Sequence, residues 1–361
     1  MGATIAATTG ASATRLTTTG ERPLADLLDR AATSHPAQAD LARHELETTL
    51  AAIRTSRIGD LAWSASCLTP SRYPVEVAVT SARAELRTVV DVVAPEGDRR
   101  TAFGAVLELS AAFGAAGPPA ESRRAIEEHQ RGLPLRFGAW LGSRHEQTRT
   151  RHKVYVETGS AGDAWRLVDR LAPGARRVLS GLGPIRFLGL PLDGSDGVEV
   201  YVRPPELDDD VLAACLGRAD LGDFADRMSA AMTGGAGRLR GRNHVVSASV
   251  LGGAVVAVAG FTFAHHRFRL DHRVRREMLA RADAEQWPSR ALYESVSRPL
   301  AEPRPMRRPA HTALSEVAAI GADDLEHHIG LAPPETRKPA ARTSGPNGPA
   351  TNRQEREGVR Q

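Results

Sequence analysis

Two neighbouring runs of this chain each carry one charged side chain among apolar residues, an arrangement that suits chemistry on a bound ligand. Residues 73–79 contain a single carboxylate, Glu76, and the run that follows across a turn contains the guanidinium of Arg87. A carboxylate facing a low-dielectric cavity accepts a proton from a substrate N–H or O–H group, and an arginine holds an anion through two parallel hydrogen bonds. The simpler alternative is a cross-strand ion pair between Glu76 and Arg87 with no other role.

A second candidate segment is marked by its lysine. The chain has 47 lysine and arginine residues, yet its lysines are only Lys153 and, in the C-terminal tail, Lys338. On a strand, alternation places Lys153 and Tyr155 on one face and Val154 and Val156 on the other. If the valines meet a helix layer, Lys153 and Tyr155 point into an interior, where a compact ammonium suits a phosphate group. A solvated lysine at a strand edge is the alternative.

These segments belong to a pattern that occurs five times: a helical stretch, a strand, a tight turn and a second strand. The helical stretches are apolar along one stripe only, as in Leu24, Leu27, Leu28 and Ala31, so each helix covers something on one side. The turns contain polar or Gly-rich residues. The five predicted hairpins span residues 73–94, 134–158, 184–203, 244–264 and 312–332.

Strands joined by such short turns pair only antiparallel, so the sequence predicts an α+β fold with ten antiparallel strands and helices on one face. Closing that sheet into a barrel with the helices outside removes its edges. A ten-stranded barrel is wider than the roughly eight-stranded size that side chains fill, so it encloses a chamber suited to a ligand. We expect one barrel domain over residues 21–334, with disordered tails at 1–20 and 335–361. Two smaller α+β sheets are the alternative.

Composition and charge narrow the function classes. The net charge is only +4, the basic residues are scattered and aromatic residues make up 4% of the chain, which argues against nucleic-acid binding. Cys67 and Cys215 lie in apolar patterns typical of core residues in a reducing compartment, not of a disulfide or a metal site. Residues 1–20 lack a basic segment followed by an apolar core, so no signal peptide is evident and a cytoplasmic location is expected.

One segment has the length of a membrane span. Residues 245–264 are twenty residues without a charged side chain, which is enough to cross a bilayer. The central Gly252-Gly253 pair and the β-branched runs beside it favour a buried hairpin instead. The segment also lies where the fourth repeat is expected. We therefore predict a hairpin and no membrane partner, with a membrane helix as the alternative.

The candidate residues, in their order on successive hairpins, resemble the aromatic prenyltransferases of the ABBA type, and within them the dimethylallyltryptophan synthase-like group. That family is built from five αββα units around a ten-stranded antiparallel barrel, the PT barrel. The resemblance covers roughly residues 21–334. It implies binding of an allyl diphosphate and an aromatic acceptor, and transfer of the allyl group between them.

The resemblance also implies a role for each candidate residue. Glu76, in the segment Pro74-Val75-Glu76, looks like the carboxylate that binds the aromatic acceptor. The implied diphosphate ligands are Arg87, Arg136 on the strand before the lysine, and Lys153. The implied shield for the allyl cation consists of the rings of Tyr155, in Lys153-Val154-Tyr155, and Tyr201.

The later hairpins depart from the family pattern. Where the family typically has Arg-x-Lys-x-Tyr, residues 197–201 read Gly-Val-Glu-Val-Tyr, so the tyrosine remains and both cations are lost. Glu199 at this place would repel a diphosphate. The fourth and fifth hairpins lack the family's usual tyrosines, and the whole chain has only four tyrosines. Phe261 and His328 are the candidates to replace them sterically.

Two main hypotheses follow. The first is a soluble prenyltransferase that moves a dimethylallyl or similar group to an electron-rich aromatic such as an indole. No Asp-rich metal motif lies on a suitable helix, and residues 208–210 suit a helix start, so magnesium is not expected as a cofactor. The second is a PT-barrel protein with altered chemistry that binds a small aromatic or a peptide without prenyl transfer, which Glu199 and the apolar fourth hairpin favour. An unrelated membrane-anchored protein is a third.

Overall fold

The chain folds into a closed β-barrel surrounded by helices. The computed structural model describes residues 18–159, 163–233, 238–240, 244–303 and 308–333. The strands in chain order are β1 (Val75–Thr80), β2 (Leu86–Val90), β3 (Ala139–His145), β4 (Thr150–Glu157), β5 (Ile185–Pro191), β6 (Val198–Val202), β7 (Glu206–Asp208), β8 (Arg238–Arg240), β9 (His244–Leu251), β10 (Ala254–Phe263), β11 (His311–Ala319) and β12 (Glu326–Leu331). Ten of them close the barrel in the order β1-β12-β11-β10-β9-β6-β5-β4-β3-β2.

All five predicted hairpins are present. Each is one antiparallel pair of the barrel: β1·β2, β3·β4, β5·β6, β9·β10 and β11·β12. The last strand returns to the first, with Ala78 of β1 opposite Gly330 of β12. The predicted fold class, a ten-stranded antiparallel barrel with helices outside, is confirmed. The short strands β7 and β8, which pair only with each other outside the barrel, were not predicted.

The helices lie around the outer face of the barrel. They are α1 (Arg22–Ala32), α2 (Pro36–Thr49), α3 (Ala51–Arg54), α4 (Ala102–Ala112), α5 (Ala120–Gln130), α6 (Ala164–Leu171), α7 (Pro173–Leu179), α8 (Asp209–Arg218), α9 (Ala225–Thr233), α10 (Ala264–Phe268), α11 (Asp271–Ala284) and α12 (Arg290–Val296), with short 3₁₀ turns at 59–64, 99–101, 222–224 and 298–300. The predicted stripe of α1 is fully buried. Asp208 caps α8 by accepting a hydrogen bond from Val211 N, as expected of a helix start.

The hydrophobic core lies between the helices and the outer face of the barrel. On β1, Val75, Val77 and Val79 are buried against this layer, whereas Glu76 and Ala78 line the interior of the barrel. Burying one such valine stabilises the fold by about 1.5–3 kcal/mol, which fixes the register of the strand. The same alternation on β4 turns Val154 and Val156 outward and Lys153 and Tyr155 inward, as predicted.

The two ends of the barrel differ in their connections. The first strands of the five hairpins all run in one direction, so the five hairpin turns lie at one end, which we call the turn end. At the other end, the helix end, most barrel strands connect to helices. The tightest turn is Gly252-Gly253, where φ angles of 57° and 77° require a backbone conformation that favours glycine.

The fourth hairpin settles the question raised by its apolar sequence. Residues 244–251 and 254–263 are strands β9 and β10, with Val258 opposite Ala248. The membrane helix considered for residues 245–264 is therefore wrong. Among the residues that the structure describes, no helix has both the length and the apolar character needed to cross a bilayer.

Two boundary expectations need comment. Residues 18–20, expected in the N-terminal tail, instead form a turn before α1. There Thr18 N donates to Glu21 Oε2 at 3.0 Å and Glu21 N donates to Thr18 Oγ1 at 3.3 Å, a reciprocal cap. The rest of both predicted tails, residues 1–17 and 335–361, lies outside the described residues. Of the two cysteines predicted in the core, Cys215 is buried but Cys67 is exposed in a loop.

Candidate active site

The barrel encloses a chamber with two lobes. The lobe at the turn end has a volume of about 410 Å³, and the lobe towards the helix end has about 230 Å³. Both lobes are lined by Glu76, Tyr155, Tyr201 and Phe261, which therefore form a waist between them. Three of these four residues were candidates from the resemblance, and Phe261 was the proposed replacement for a missing tyrosine.

A row of arginines crosses three adjacent strands in the turn-end lobe. Arg87 on β2 lies opposite Arg144 on β3, and Arg144 lies opposite Arg151 on β4. Lys153, two residues further along β4, lines the same lobe. Burial and the neighbouring Arg87 guanidinium both lower the pKa of Arg144, which is the electrostatic signature of like charges gathered at one place. Such a concentration of donors suits a polyanion.

Carboxylates already contact these cations. Arg87 contacts Glu85 at 2.6 Å and Glu326 at 3.2 Å, and Arg144 contacts Glu85 at 3.3 Å. Burial alone would raise the pKa of Glu326, but His328 and Arg87 lower it to about 2. The row of arginines is therefore held in place by fixed negative charges. Glu76 lies opposite Val89, not Arg87, so the cross-strand pair between Glu76 and Arg87 is wrong.

Lys153 is paired in the same way. Its Nζ lies 2.8 Å from Glu199 Oε2, on β6, and Ser247 Oγ donates to Glu199 Oε1 at 2.7 Å. Burial opposes ionisation of Glu199, but the Lys153 ammonium outweighs it and lowers the pKa of Glu199 to about 2. Glu199 is thus an anion at every ordinary pH. Lys153 faces the chamber, so the alternative of a solvated edge lysine is wrong.

Glu76 lies at the waist of the chamber. Burial raises the pKa of its carboxyl group, an effect that the nearby Thr312 hydroxyl reduces. Gly330 on the neighbouring strand leaves the room for this arrangement, because a Cβ atom there would lie 2.2 Å from Thr312 Oγ1 and 3.2 Å from Glu76 Oε2. A carboxylate with a raised pKa is a stronger hydrogen-bond acceptor towards an N–H or O–H group of a ligand.

An aromatic belt surrounds this waist. The ring of Tyr201 lies 4.2 Å from the ring of Phe187, 5.6 Å from that of Phe261 and 6.0 Å from that of Tyr155, measured between centroids. Trp140 continues the belt, 6.2 Å from Phe187. Ring faces directed at one space stabilise a positive charge there and exclude water.

Two glycines leave room for Tyr155. A Cβ atom at Gly142 on β3 would lie 2.7 Å from Tyr155 Cε2, and one at Gly189 on β5 would lie 3.4 Å from Tyr155 Cε1. The ring therefore rests against the barrel wall between its two neighbouring strands, and it is held there by the shape of the backbone. Lys153 Nζ lies 5.7 Å from the centre of the same ring.

The helix-end lobe combines apolar walls with buried polar atoms. His244 is 1% exposed, and its ring hydrogen-bonds to the backbone of Pro204. Thr262 Oγ1 and Trp140 Nε1 line the same lobe and are buried without a hydrogen-bond partner among the described residues. Unsatisfied buried polar atoms cost about 1–3 kcal/mol each, so this lobe suits a ligand that carries polar groups. Arg203 adds a cation to its wall.

Arg136 does not lie with the other predicted diphosphate ligands. Glu157 Oε2 accepts hydrogen bonds from the backbone N–H groups of Arg136, Phe137 and Gly138 at 2.8, 2.7 and 3.0 Å, which ties this segment to the helix end. The Arg136 side chain is exposed there. Arg144 lies eight residues later, roughly 26 Å along an extended strand. The structure therefore brings Arg144, and not Arg136, beside Arg87 and Lys153.

The sequence reasoning missed four chamber residues: Arg144, Arg151, Trp140 and Phe187. Arg151 has the same strand parity as Lys153 and was within reach of the alternation argument. Arg144 required the register of the β3·β4 hairpin, because its long turn hides which residues face each other. Of the two candidates to replace family tyrosines, Phe261 contacts Tyr201 and His328 contacts Arg87, and their replacement role stays a prediction.

Within the described part of the chain, no group of three or more His, Cys, Asp or Glu side chains is placed to hold a metal ion. The expectation that the protein does not require magnesium stays a prediction. The predicted membrane-free, cytoplasmic location likewise stays a prediction.

In sequence, the chain matches no protein-family model and no curated protein. In structure, it is similar to the prenyltransferase PriB, with a TM-score of 0.68 at 18% identity over 89% of this chain and 98% of that one. It is also similar to 6-dimethylallyltryptophan synthase from Micromonospora olivasterospora in complex with DMASPP and Trp, with a TM-score of 0.70 at 16% identity over 88% and 97%. A third similar structure is 5-dimethylallyltryptophan synthase from Streptomyces coelicolor in complex with the same ligands, with a TM-score of 0.69 at 17% identity over 89% and 97%.

Proposed function

We propose that this chain, which has the fold of the ABBA-type aromatic prenyltransferases, transfers an allyl group to an electron-rich aromatic such as an indole. The donor is an allyl diphosphate such as dimethylallyl diphosphate. The observation that carries this proposal is a pair of adjoining cavities that share Glu76, with a row of cations in one and polar groups among aromatic rings in the other. The crystallised neighbours with bound DMASPP and Trp support this choice of ligands.

The proposal gives each reactant a position in the chamber. The diphosphate lies in the turn-end lobe against Arg87, Arg144, Arg151 and Lys153, which stabilise negative charge as the C1–O bond breaks. The allyl group lies in the aromatic belt. The acceptor ring lies at the waist with its N–H or O–H group donating to Glu76. As the C1–O bond breaks, a bond forms between C1 and a ring carbon, and the proton of that carbon passes to the released diphosphate or to solvent.

The belt has a second task, which is to keep water from the allyl cation. The rings of Tyr155, Tyr201, Phe187 and Phe261 contact one another at the waist. Cation–π contact in a desolvated site contributes about 2 kcal/mol for each well-placed ring. This belt stands in for the more complete tyrosine shield that the sequence lacks.

A direct test compares two arginine-to-alanine substitutions, one inside the chamber and one outside it. The protein is incubated with dimethylallyl diphosphate and a panel of indoles that begins with L-tryptophan, with and without magnesium, and products are identified by mass spectrometry. Arg144→Ala should lower kcat/KM by about 100-fold, in line with the loss of one fixed charge at the leaving group. Arg136→Ala, which removes the same side chain outside the chamber, should leave it unchanged. Equal effects of the two variants would contradict the proposed diphosphate position.

The second candidate function is ligand binding without prenyl transfer. It is favoured by the carboxylates that already contact the chamber cations, namely Glu85, Glu199 and Glu326. If these pairs do not open, a diphosphate gains little from the lobe. In that case calorimetry would detect binding of aromatic ligands but of neither dimethylallyl nor geranyl diphosphate, and Lys153→Ala would not alter the result.

A further inference from the structure

Glu199 occupies a place from which it controls Lys153. It lies on β6 with Gly189 of β5 on one side and Ser249 of β9 on the other. Its Oε2 atom lies 2.8 Å from Lys153 Nζ, so the two side chains bridge β4 and β6 across β5. The side chain of Glu199 is 13% exposed and that of Lys153 is 34% exposed. The carboxylate is thus the more deeply buried member, and the ammonium is the one within reach of an incoming anion.

Three side chains act on Glu199 directly. Lys153 faces it from β4, Tyr201 from its own strand and Ser247 from β9, whereas Tyr155 contacts Tyr201. Arg144 acts on Lys153 from β3. Lys153 is the one of these groups that supplies a full positive charge directly to the carboxylate, since the hydroxyl groups supply only hydrogen bonds.

A diphosphate in the turn-end lobe must compete for Lys153. The ammonium cannot give its strongest contact to both anions, and a diphosphate carries more charge than one carboxylate. Once Lys153 turns to the diphosphate, Glu199 remains in a buried site beside a second anion. Burial and a nearby like charge both favour the neutral form of a carboxyl group.

We propose that Glu199 is a latch whose release takes up a proton: the diphosphate takes Lys153 from it, and the freed carboxylate is protonated from solvent. This inference rests on the proposed diphosphate site and adds to it that donor binding is linked to pH. While Lys153 is in place, the pKa of Glu199 is about 2, so the proton is absent from the empty protein. Linkage then requires donor affinity to rise as the pH falls.

The size of the effect follows from the number of protons. Uptake of about one proton changes the dissociation constant by about tenfold for each pH unit. Glu199→Gln removes the charge but keeps the shape and the hydrogen bond from Ser247. This variant should bind inorganic diphosphate at least about tenfold more tightly than the wild type above neutral pH, with the difference narrowing in acid.

Titration calorimetry with inorganic diphosphate, in two buffers of different ionisation enthalpy, measures the protons directly. The ligand's own protonation is common to every variant, so the difference between wild type and Glu199→Gln reports Glu199 alone. Asp193→Asn is the matched control, because Asp193 lines the same lobe without contacting Lys153. It should take up as many protons as the wild type.

The outcomes separate the latch from the underlying site. If wild type takes up about one proton more than Glu199→Gln, the latch is supported. If both bind diphosphate with equal proton uptake, the latch is wrong while the diphosphate site stands. If neither protein binds diphosphate at any pH, although Glu199→Gln unfolds at the same temperature as the wild type, the proposed diphosphate site is wrong and so is the latch.

Discussion

Gly330 keeps open the space that the Glu76 carboxylate needs, and replacing it tests the whole assignment of the waist. Gly330 lies on β12 opposite Ala78 of β1, and Ala78 is two residues from Glu76 on that strand. A Cβ atom there would lie 2.2 Å from Thr312 Oγ1, so the hydroxyl must move by about 1 Å to restore an ordinary contact. The Glu76 carboxylate, 3.2 Å from the same point, lies directly beside it.

The expected magnitudes follow from that displacement. Misplacing a group that orients substrate by about 1 Å costs up to about 100-fold in rate. Inserting one methyl group into a packed wall destabilises a protein by about 1–3 kcal/mol. We therefore expect Gly330→Ala to lower kcat/KM for prenyl transfer by about 100-fold and the free energy of unfolding by about 1–3 kcal/mol.

The assay is steady-state product formation together with denaturant unfolding of the same samples. Gly104→Ala is the matched control, because an added Cβ there has no atom within 4 Å, and it lies inside α4, where alanine is favoured. In Gly330→Ala/Thr312→Ala the obstructing hydroxyl is gone, so most of the lost stability should return. Wild-type kcat/KM in Gly330→Ala would contradict the assignment of the waist, since the wall beside Glu76 would then have moved without consequence.

Three further predictions concern charge. Burial raises the pKa of Glu76, so its stabilising contribution is complete below the unfolded pKa of about 4.3 and is lost as the pH rises through the folded pKa. Glu76→Gln should therefore raise the unfolding temperature at neutral pH but not in acid. The same substitution should remove prenyl transfer. Lys153→Ala should weaken calorimetric binding of dimethylallyl diphosphate by at least about tenfold, and Lys338→Ala should not. Burial opposes ionisation of Asp271, but hydrogen bonds from His311 lower its pKa. Its stabilising contribution is therefore present above the unfolded pKa of about 3.9 and is lost as the pH falls through the folded pKa. Asp271→Asn should lower the free energy of unfolding by about 1–3 kcal/mol at neutral pH and by less in acid, measured by denaturant unfolding.

The five repeated hairpins and their short turns were enough to predict the fold. On β4, alternation was also enough to orient the side chains: the buried face of a strand must be apolar, so Val154 and Val156 fix the direction of Lys153 and Tyr155 without knowledge of their neighbours. What it could not provide is the partner of each residue on the next strand. The pairing of Arg87 with Arg144 depends on the register between β2 and β3, which lie in different repeats.

The position of Arg136 could not be predicted from the sequence either. The family resemblance implied a basic residue on the strand before Lys153, and Arg136 was the candidate. The decisive contact is instead made by the Glu157 carboxylate, which accepts three backbone N–H groups and holds residues 136–138 as a turn at the helix end. Backbone capture by a side chain nineteen to twenty-one residues away leaves no local sequence signal, since no motif at Arg136 announces it.

The connectivity of the barrel accounts for the separation of its charged and aromatic lobes. Charged side chains lose hydration when they are covered, at an effective cost of several kcal/mol for each ion. The turn end has only short hairpin turns, so Arg144 and Arg151 keep side-chain exposures of 33% and 44% while still lining the chamber. Towards the helix end, Trp140 and Phe187 can line the wall because aromatic rings gain from the same dehydration. Under the proposed function, this division gives the diphosphate a hydrated exit at the turn end and places the belt between that water and the allyl cation. The direction of the hairpins, which leaves only short turns at one end, is what allows charged side chains to line that end.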